Sequence, residues 1–425
     1  MSLSCFDFAD QKPQLTLEEA QQALLETATQ ITPAIKRSLQ EAQGLFLAEN
    51  IQAPIQVPQN TNSAMDGYAL KGSELTQLKS WHLAGESLAG RGFNQTLQAG
   101  ECIYITTGAP LPEGADTVVM MEQARREDGQ VFFELGDKPP KIGSNVRQAG
   151  EDIQEGQLLL HPGQCLGSTE LGLLASLGFS EVEVHQPLRV AIFSTGDEVT
   201  APGLPLPAAG IYDANRFSVQ GMLQGLGCQV TDLGILPDDL NAITSALRKA
   251  SRDHQLILTS GGVSVGDADF VKQALADLGE TRFWRLAIRP GRPFAFGHLG
   301  QNQQGSTCLF AGLPGNPVAA MVTFMLLVQP LIKKLQGGYQ NLTATWTAQT
   351  EEPLKSRLGR SDFHRGIYQV NPEGQLEVHT TGAQGSGILT SMHQANCLIR
   401  IPDHQTEIPA GDPISIYPFH LWLAE

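Results

Sequence analysis

Acidic side chains recur at three places where an apolar run gives way to a turn: Asp197 and Glu198 after Arg189–Ser194, Asp238 and Asp239 after Ile235-Leu236-Pro237, and Asp267 and Asp269 in LTSGGVSVGDADF. Grouped carboxylates suit a hard cation, and the last pair lies beside Gly261 and Gly262, whose bare backbone can bring N–H groups against an anion. Aspartates next to a phosphate repel it unless a cation such as Mg²⁺ lies between them. The stretch therefore reads as a site for a metal-bridged nucleotide or phosphate. The spacing Gly261, Gly262, Gly266 fits neither a P-loop nor a dinucleotide-binding turn. Taken alone it is equally a tight turn with an Asp N-cap, and Pro237-Asp238-Asp239 alone is a solvated turn. Three such loops on one edge are harder to explain as turns.

The opposite charge collects in WRLAIRPGRPFAFG, where Arg285, Arg289 and Arg292 flank a turn stiffened by Pro290 and Pro293 and opened by Gly291. Guanidinium forks match tetrahedral oxyanions, and a rigid turn lowers the cost of ordering them. Arg357, Arg360 and Arg365 in KSRLGRSDFHRG could supply the same chemistry from another side. Either cluster is otherwise a solvated basic face. NTNSAMDGYAL offers Asp66 in what composition makes a turn. The ten histidines show no ligand spacing, and no Ser/His/Asp order suggests a nucleophile.

Positioning these residues requires several elements. From Leu188 the chain alternates strand and helix: a strand at Arg189–Ser194, a helix at Asn215–Leu226, a strand at Gln229–Gly234, a helix at Asn241–Ser251 and a strand at Leu256–Thr259. That pattern predicts a parallel α/β unit, whose ligands bind outside the carboxyl ends of the strands, where the acidic loops fall. Upstream, Thr16-Leu17-Glu18-Glu19 is a capping box opening a helix to about Thr27, and a further helix is expected over Thr32–Leu47. Short strands are expected at Glu101–Thr106 and Thr117–Met121, and a helix at Ser168–Leu177. Strand-like alternation returns at Leu398–Ile401 and Ile414–Ile416, suggesting a closing β domain. The apolar run Val318–Val328 follows Asn316-Pro317, a cap and first-turn pair, and reads as a buried helix shorter than the ~20 residues of a membrane span.

The 425 residues suggest roughly three domains, and 41% hydrophobic residues can fill them. The balance of 28 basic against 44 acidic residues, net −16, argues against a nucleic-acid partner and confines any anionic ligand to a local basic pocket. Six scattered cysteines without a C-x-x-C, and an N-terminus without signal-peptide character, predict a cytoplasmic protein with no membrane association.

Taken together, NSAMDGYAL, TTGAPLPEGADTVVMME, NVRQAGEDI, STGDEV, TSGGVSVGDADF, RPGRPFAFG and LPGNPVAA closely resemble the molybdopterin molybdenumtransferase family, which includes the E domain of gephyrin. The resemblance runs nearly end to end. It implies an α/β multidomain chain: residues 1–57 with 148–187 as a linking domain, 58–147 as a β-rich domain forming one wall of the cleft, 188–336 as a parallel α/β molybdopterin-binding domain, and 337–425 as a C-terminal β-barrel-like domain. It further implies Mg²⁺-dependent insertion of molybdate into adenylylated molybdopterin with release of AMP, in a homodimer whose cleft lies between protomers. The molybdopterin adenylyltransferase is an implied partner.

By motif, Glu198, Asp238 and Asp269 resemble the catalytic, metal-holding edge, and Asp66 and Thr107 the opposing wall from the other protomer. Gly261, Gly262, Ser264, Arg147 and Arg285 resemble substrate-binding positions, and Arg289, Arg292, Pro293, Arg365 and Ser386 the molybdate pocket. The family turn more often reads Lys-Pro-Gly-Lys-Pro; here both lysines are arginines, so a planar fork replaces a point donor. Two other readings are a molybdopterin adenylyltransferase, which usually consists of the α/β domain alone, and a scaffold of the gephyrin type.

Overall fold

The protein is described here by a computed structural model covering residues 14–28, 31–136, 139–262, 270–303, 305–339 and 345–422. Ser264, Asp267 and Asp269 lie outside the described residues. The chain forms two compact units, one of residues 1–49, 162–169 and 181–425, the other of residues 50–161 and 170–180.

The first unit is built on a six-stranded sheet. In chain order its main elements are β1 (Arg189–Thr195), α1 (Asn215–Gly225), β2 (Gln229–Leu236), α2 (Leu240–Asp253), β3 (Leu256–Ser260), α3 (Phe270–Leu278), β4 (Glu280–Arg285), β5 (Pro293–Gln301), β6 (Thr307–Leu313) and a helix over Pro317–Leu335. The sheet order is β2-β1-β3-β6-β5-β4; the first four strands run parallel, and β5 and β4 continue antiparallel. Both faces are covered. Leu247, Val271 and Leu275 pack with Phe193, Ile257 and Phe310 on one, while Val219, Leu223 and Phe324 pack with Val190, Ile192 and Leu258 on the other. Burial on both faces explains why these strands read as unbroken apolar runs rather than as alternating ones.

The helix Pro317–Leu335 is long and apolar enough to cross a bilayer by composition, yet 83% of its apolar window is buried inside the protein. It runs well past the apolar stretch that marked it in the sequence. Its middle turn, Phe324–Val328, is π-wound and precedes Pro330. Proline has no N–H for the carbonyl four residues earlier, that of Leu326. Gln21 Nε2 donates to that carbonyl at 2.8 Å from the helix Leu17–Thr27, which is held at its start by the expected capping box: Thr16 N–H donates to Glu19 Oε2 at 2.8 Å, and Glu19 N–H to Thr16 Oγ1 at 3.2 Å.

No helix forms over Thr32–Leu47. Ala34–Ser38 is a strand paired antiparallel with Glu181–His185, followed by turns. The segment is mostly exposed and has no continuous apolar face to bury as a helix, so pairing with a distant strand prevails over local propensity. The C-terminal part of the unit is a five-stranded barrel of Trp346–Thr350, Ser361–Val370, Leu376–Thr380, Cys397–Ile401 and Pro413–Pro418, closed by pairing of Ser361–Val370 with Cys397–Ile401. A two-residue strand, Ile288–Arg289, adds to it in parallel and brings Arg289 into register with Asp362.

The second unit is centred on another six-stranded sheet, with Gly67–Leu70 between Thr117–Met120 and Glu101–Ile105, around Trp81, Leu70 and Val119. The expected strands at 101–106 and 117–121 are these two.

Candidate active site

The carboxyl edge of the parallel sheet opens into a cleft of about 1060 Å³ within the first unit. Its floor is glycine. β3 ends at Ser260, and Gly261 and Gly262 follow with φ of +92° and +65°, a region that disfavours side chains. A Cβ on Gly262 would stand 2.6 Å from Val271 Cγ2 and 3.0 Å from Thr195 Cγ2, so only glycine passes there. Gly261 N–H donates to Leu313 O at 3.2 Å, and Asn215 Nδ2 joins Ser260 Oγ at 2.7 Å to Gly315 O at 2.6 Å. Those bonds tie the ends of β3 and β6 to the start of α1 and make a fixed backbone surface.

The acidic loops separate by role. Glu198, just beyond β1, is exposed and lines the cleft. Asp238, just beyond β2, is exposed and accepts a hydrogen bond from Thr195 Oγ1 at the end of β1, so two neighbouring strand ends are coupled. Asp239 caps α2, its Oδ1 accepting from Ala242 N–H at 2.8 Å. Asp239 is thus a helix cap, where sequence reading had offered only a solvated turn as the alternative to a site. Among the described residues no three His, Cys, Asp or Glu side chains gather as a metal cage, and Asp269, the third member of the expected metal set, lies outside them.

Arginines form the other wall. Arg289, Arg292, Arg357 and Arg360 all line the cleft, with Pro293 and Ser386. Both basic clusters seen in the sequence thus reach one cleft. Burial, and then the neighbouring charges of Arg285 and Arg360, lower the pKa of Arg292, the mark of cations crowded without enough counter-charge. Arg285 itself does not line the cleft. Gly291, at φ +108°, lets the turn pass the helix Pro317–Leu335, since a Cβ there would sit 2.3 Å from Thr323 Oγ1. Gly291→Ala is expected to cost about 2–3 kcal/mol of stability through backbone strain and that contact, read as a lower urea midpoint. An unchanged midpoint would mean the turn relaxes freely.

Arg365, which its motif assigns to the molybdate pocket, lies directly behind the cleft lining. It is 1% exposed, does not line the cleft, and spends its donors internally: Nε to Ser391 Oγ at 3.0 Å, Nη1 to Phe363 O at 3.4 Å and Nη2 to Gly385 O at 3.1 Å. Burial, then the charge of Arg289, lowers its pKa to about 10. It braces the loop that presents Ser386, whose carbonyl accepts from Val318 N–H at 3.1 Å in the first turn of the long helix. Sequence reading took Asn316 only as a helix cap and did not single out Gln384 or Gln14, all of which line the cleft, nor Asp362 behind it. The only sequence signal for Asp362 was one acid in the basic stretch KSRLGRSDFHRG.

Asp66 and Thr107, in the second unit, come together: Thr107 N–H and Oγ1 both donate to Asp66 Oδ1, at 2.6 and 2.8 Å. These bonds hold the exposed Asp66 carboxylate below its ordinary pKa. Arg147, also in that unit, is exposed on a short strand paired with Asn62–Ser63.

An open sheet with a glycine floor and an arginine wall at its carboxyl edge defines an α/β protein suited to a phosphate-bearing or oxyanionic ligand. Residues 15–178 match the MoeA N-terminal region (domains I and II), residues 191–334 a probable molybdopterin binding domain, and residues 347–419 the MoeA C-terminal region (domain IV). The chain belongs to the molybdopterin molybdenumtransferase family. It is 43% identical to the molybdopterin molybdenumtransferase of Haemophilus influenzae over 96% of this chain and 99% of that one, and 34% identical to that of Nostoc over 88% and 86%. It is also 30% identical to gephyrin of Dictyostelium discoideum over 94% of this chain and 61% of that one. Among solved structures it resembles a molybdopterin biosynthesis MoeA protein of Pyrococcus horikoshii, with a TM-score of 0.80, 27% identity, and coverage of 95% of this chain and 100% of that one.

Proposed function

We propose that this cleft carries out the metal-insertion step of molybdenum cofactor biosynthesis: molybdate is inserted into adenylylated molybdopterin and AMP leaves. The observation that carries the reading is that the glycine floor, Glu198 and the arginine wall line one cleft, with Asp238 on the neighbouring strand end but outside that lining, since the reaction needs a nucleotide site and a tetrahedral oxyanion site side by side. The backbone at Gly261 and Gly262 takes the nucleotide end. Arg289 and Arg292 take molybdate, with Ser386 completing that side and Arg365 acting through the loop that carries it.

Glu198 and Asp238 are exposed oxygen donors, a set that suits Mg²⁺ better than a softer metal, and together with Asp269 they would hold it. When bound, the ion offsets phosphate charge at the bond that releases AMP. AMP release from adenylylated molybdopterin, measured with and without molybdate and Mg²⁺, tests the reading. Release indifferent to molybdate would sink it.

We further propose a homodimer in which Asp66 and Thr107 reach the cleft of the partner. Leu204, Leu206, Ile211, Tyr212 and Phe217 are all 45–57% exposed within one short stretch, an apolar surface of the kind that a second copy would cover. In mixed dimers of Asp66→Asn and Asp238→Asn chains, one cleft keeps both carboxylates. Such dimers should recover about half the parent turnover although each variant alone is inactive. Mixed dimers as inactive as the variants would rule out the shared cleft. A cytoplasmic setting agrees with the free thiols of Cys102, Cys228, Cys308 and Cys397, buried and pushed up to about 12 by that burial. The scaffold and adenylyltransferase readings have no specific observation of their own in this structure.

A further inference from the structure

Behind the arginine wall lies a carboxylate with no exposure at all. Asp362 sits near the start of the barrel strand Ser361–Val370, in register with Arg289 on the short strand Ile288–Arg289. Its Oδ2 faces Arg289 Nη1 at 3.5 Å and His364 Nε2 at 3.9 Å, and its Oδ1 faces Arg360 Nε at 3.2 Å. Neither oxygen accepts a hydrogen bond of good geometry, so the carboxylate is held by charge. Burial, outweighing the attraction of Asp362, lowers the pKa of His364, so counter-charge falls mainly to the two arginines. A buried ion is tolerated only where its partners compensate it, and removing one partner leaves the other stranded. Here both compensating groups line the cleft, while the carboxylate does not.

We propose that Asp362 is a positioning residue for oxyanion binding: it holds Arg289 and Arg360, which come from two different segments, by one nitrogen each, leaving their other donors to a tetrahedral dianion in the cleft. It touches no ligand itself. The inference rests on reading the arginine wall as the oxyanion site. Tethering and simple charge predict opposite signs. Replacing Asp362 by a neutral isostere makes the cleft more positive, which by charge alone tightens an anion, whereas loss of the tether frees two long side chains whose reordering then opposes binding.

Calorimetric titration of molybdate into the full-length chain separates these effects. Asp362→Asn is expected to weaken binding roughly five- to tenfold, corresponding to the reordering of two arginines. Arg289→Ala should weaken it at least as much, and the double variant should fall short of the two losses added, because the part of the Asp362 effect that passes through Arg289 is already gone and only the tether on Arg360 remains to be lost. Arg360→Lys keeps the charge and the buried carboxylate but loses the Nε contact. It should also weaken binding, which keeps the test open if Asp362→Asn does not fold. Tighter or unchanged binding by Asp362→Asn, with Arg289→Ala weakened, overturns the positioning role while the oxyanion site stands. Unchanged binding by Arg289→Ala removes Arg289 from the oxyanion site, and this inference with it, while unchanged binding by Arg292→Ala as well removes the oxyanion site itself.

Discussion

Glu198→Gln and Asp238→Asn are each expected to slow AMP release on the order of 10²- to 10³-fold while leaving the fold intact. Both residues are exposed at the ends of adjacent parallel strands, so neither substitution opens a cavity. Asn at 238 can still accept the hydrogen bond from Thr195 Oγ1 through its amide oxygen, so what is lost is the negative charge. If these carboxylates hold the cation that offsets phosphate charge, both variants should also need more Mg²⁺ for half-maximal rate. Asp239→Asn is the internal control. Its carboxylate caps α2, asparagine caps about as well as aspartate, and the rate should stay within a factor of about two. A large rate loss in Asp239→Asn, or parent rates in the other two, would place the chemistry elsewhere.

The division between Asp238 and Asp239 shows where sequence reading reached its limit. Strand periodicity, the Asn-Pro helix start and the capping box at Thr16 were legible because each depends on neighbours within one turn or one strand. The edge of the sheet on which the acids collect was legible too, because parallel topology sends successive strand ends to one side. Which of two adjacent aspartates is a cap depends on backbone angles that the sequence does not carry. The failed helix at Thr32–Leu47 has a similar cause, since its partner strand Glu181–His185 lies far along the chain. The motif assigned Arg365 to the molybdate pocket, but its burial and its bond to Gly385 in the loop that presents Ser386 had no local signal. Asp362 was missed for the same reason, as its significance comes from the register of Ile288–Arg289 against the barrel.

Arg292→Ala should raise the half-saturation for molybdate roughly ten- to hundredfold at saturating pterin nucleotide, with little change in nucleotide affinity. A charge-assisted hydrogen bond contributes about 1.5–3 kcal/mol, and about 1.4 kcal/mol is a factor of ten. The surroundings of Arg292 argue for a strong effect. Its charge is disfavoured by partial burial and by Arg285 and Arg360, so a dianion arriving there relieves repulsion as well as gaining hydrogen bonds. Arg289 is less unbalanced because Asp362 already compensates it, and it should therefore contribute less per fork than Arg292. Arg292→Lys separates charge from shape. It keeps the cation and loses the planar fork, and supplies one of the two lysines of the Lys-Pro-Gly-Lys-Pro turn that this chain otherwise resembles, so an intermediate half-saturation is expected. If Arg292→Ala left the molybdate response unchanged, the oxyanion would have to bind away from the Arg289–Pro293 turn. If nucleotide affinity fell in parallel, Arg292 would be serving the phosphate end of the cleft instead.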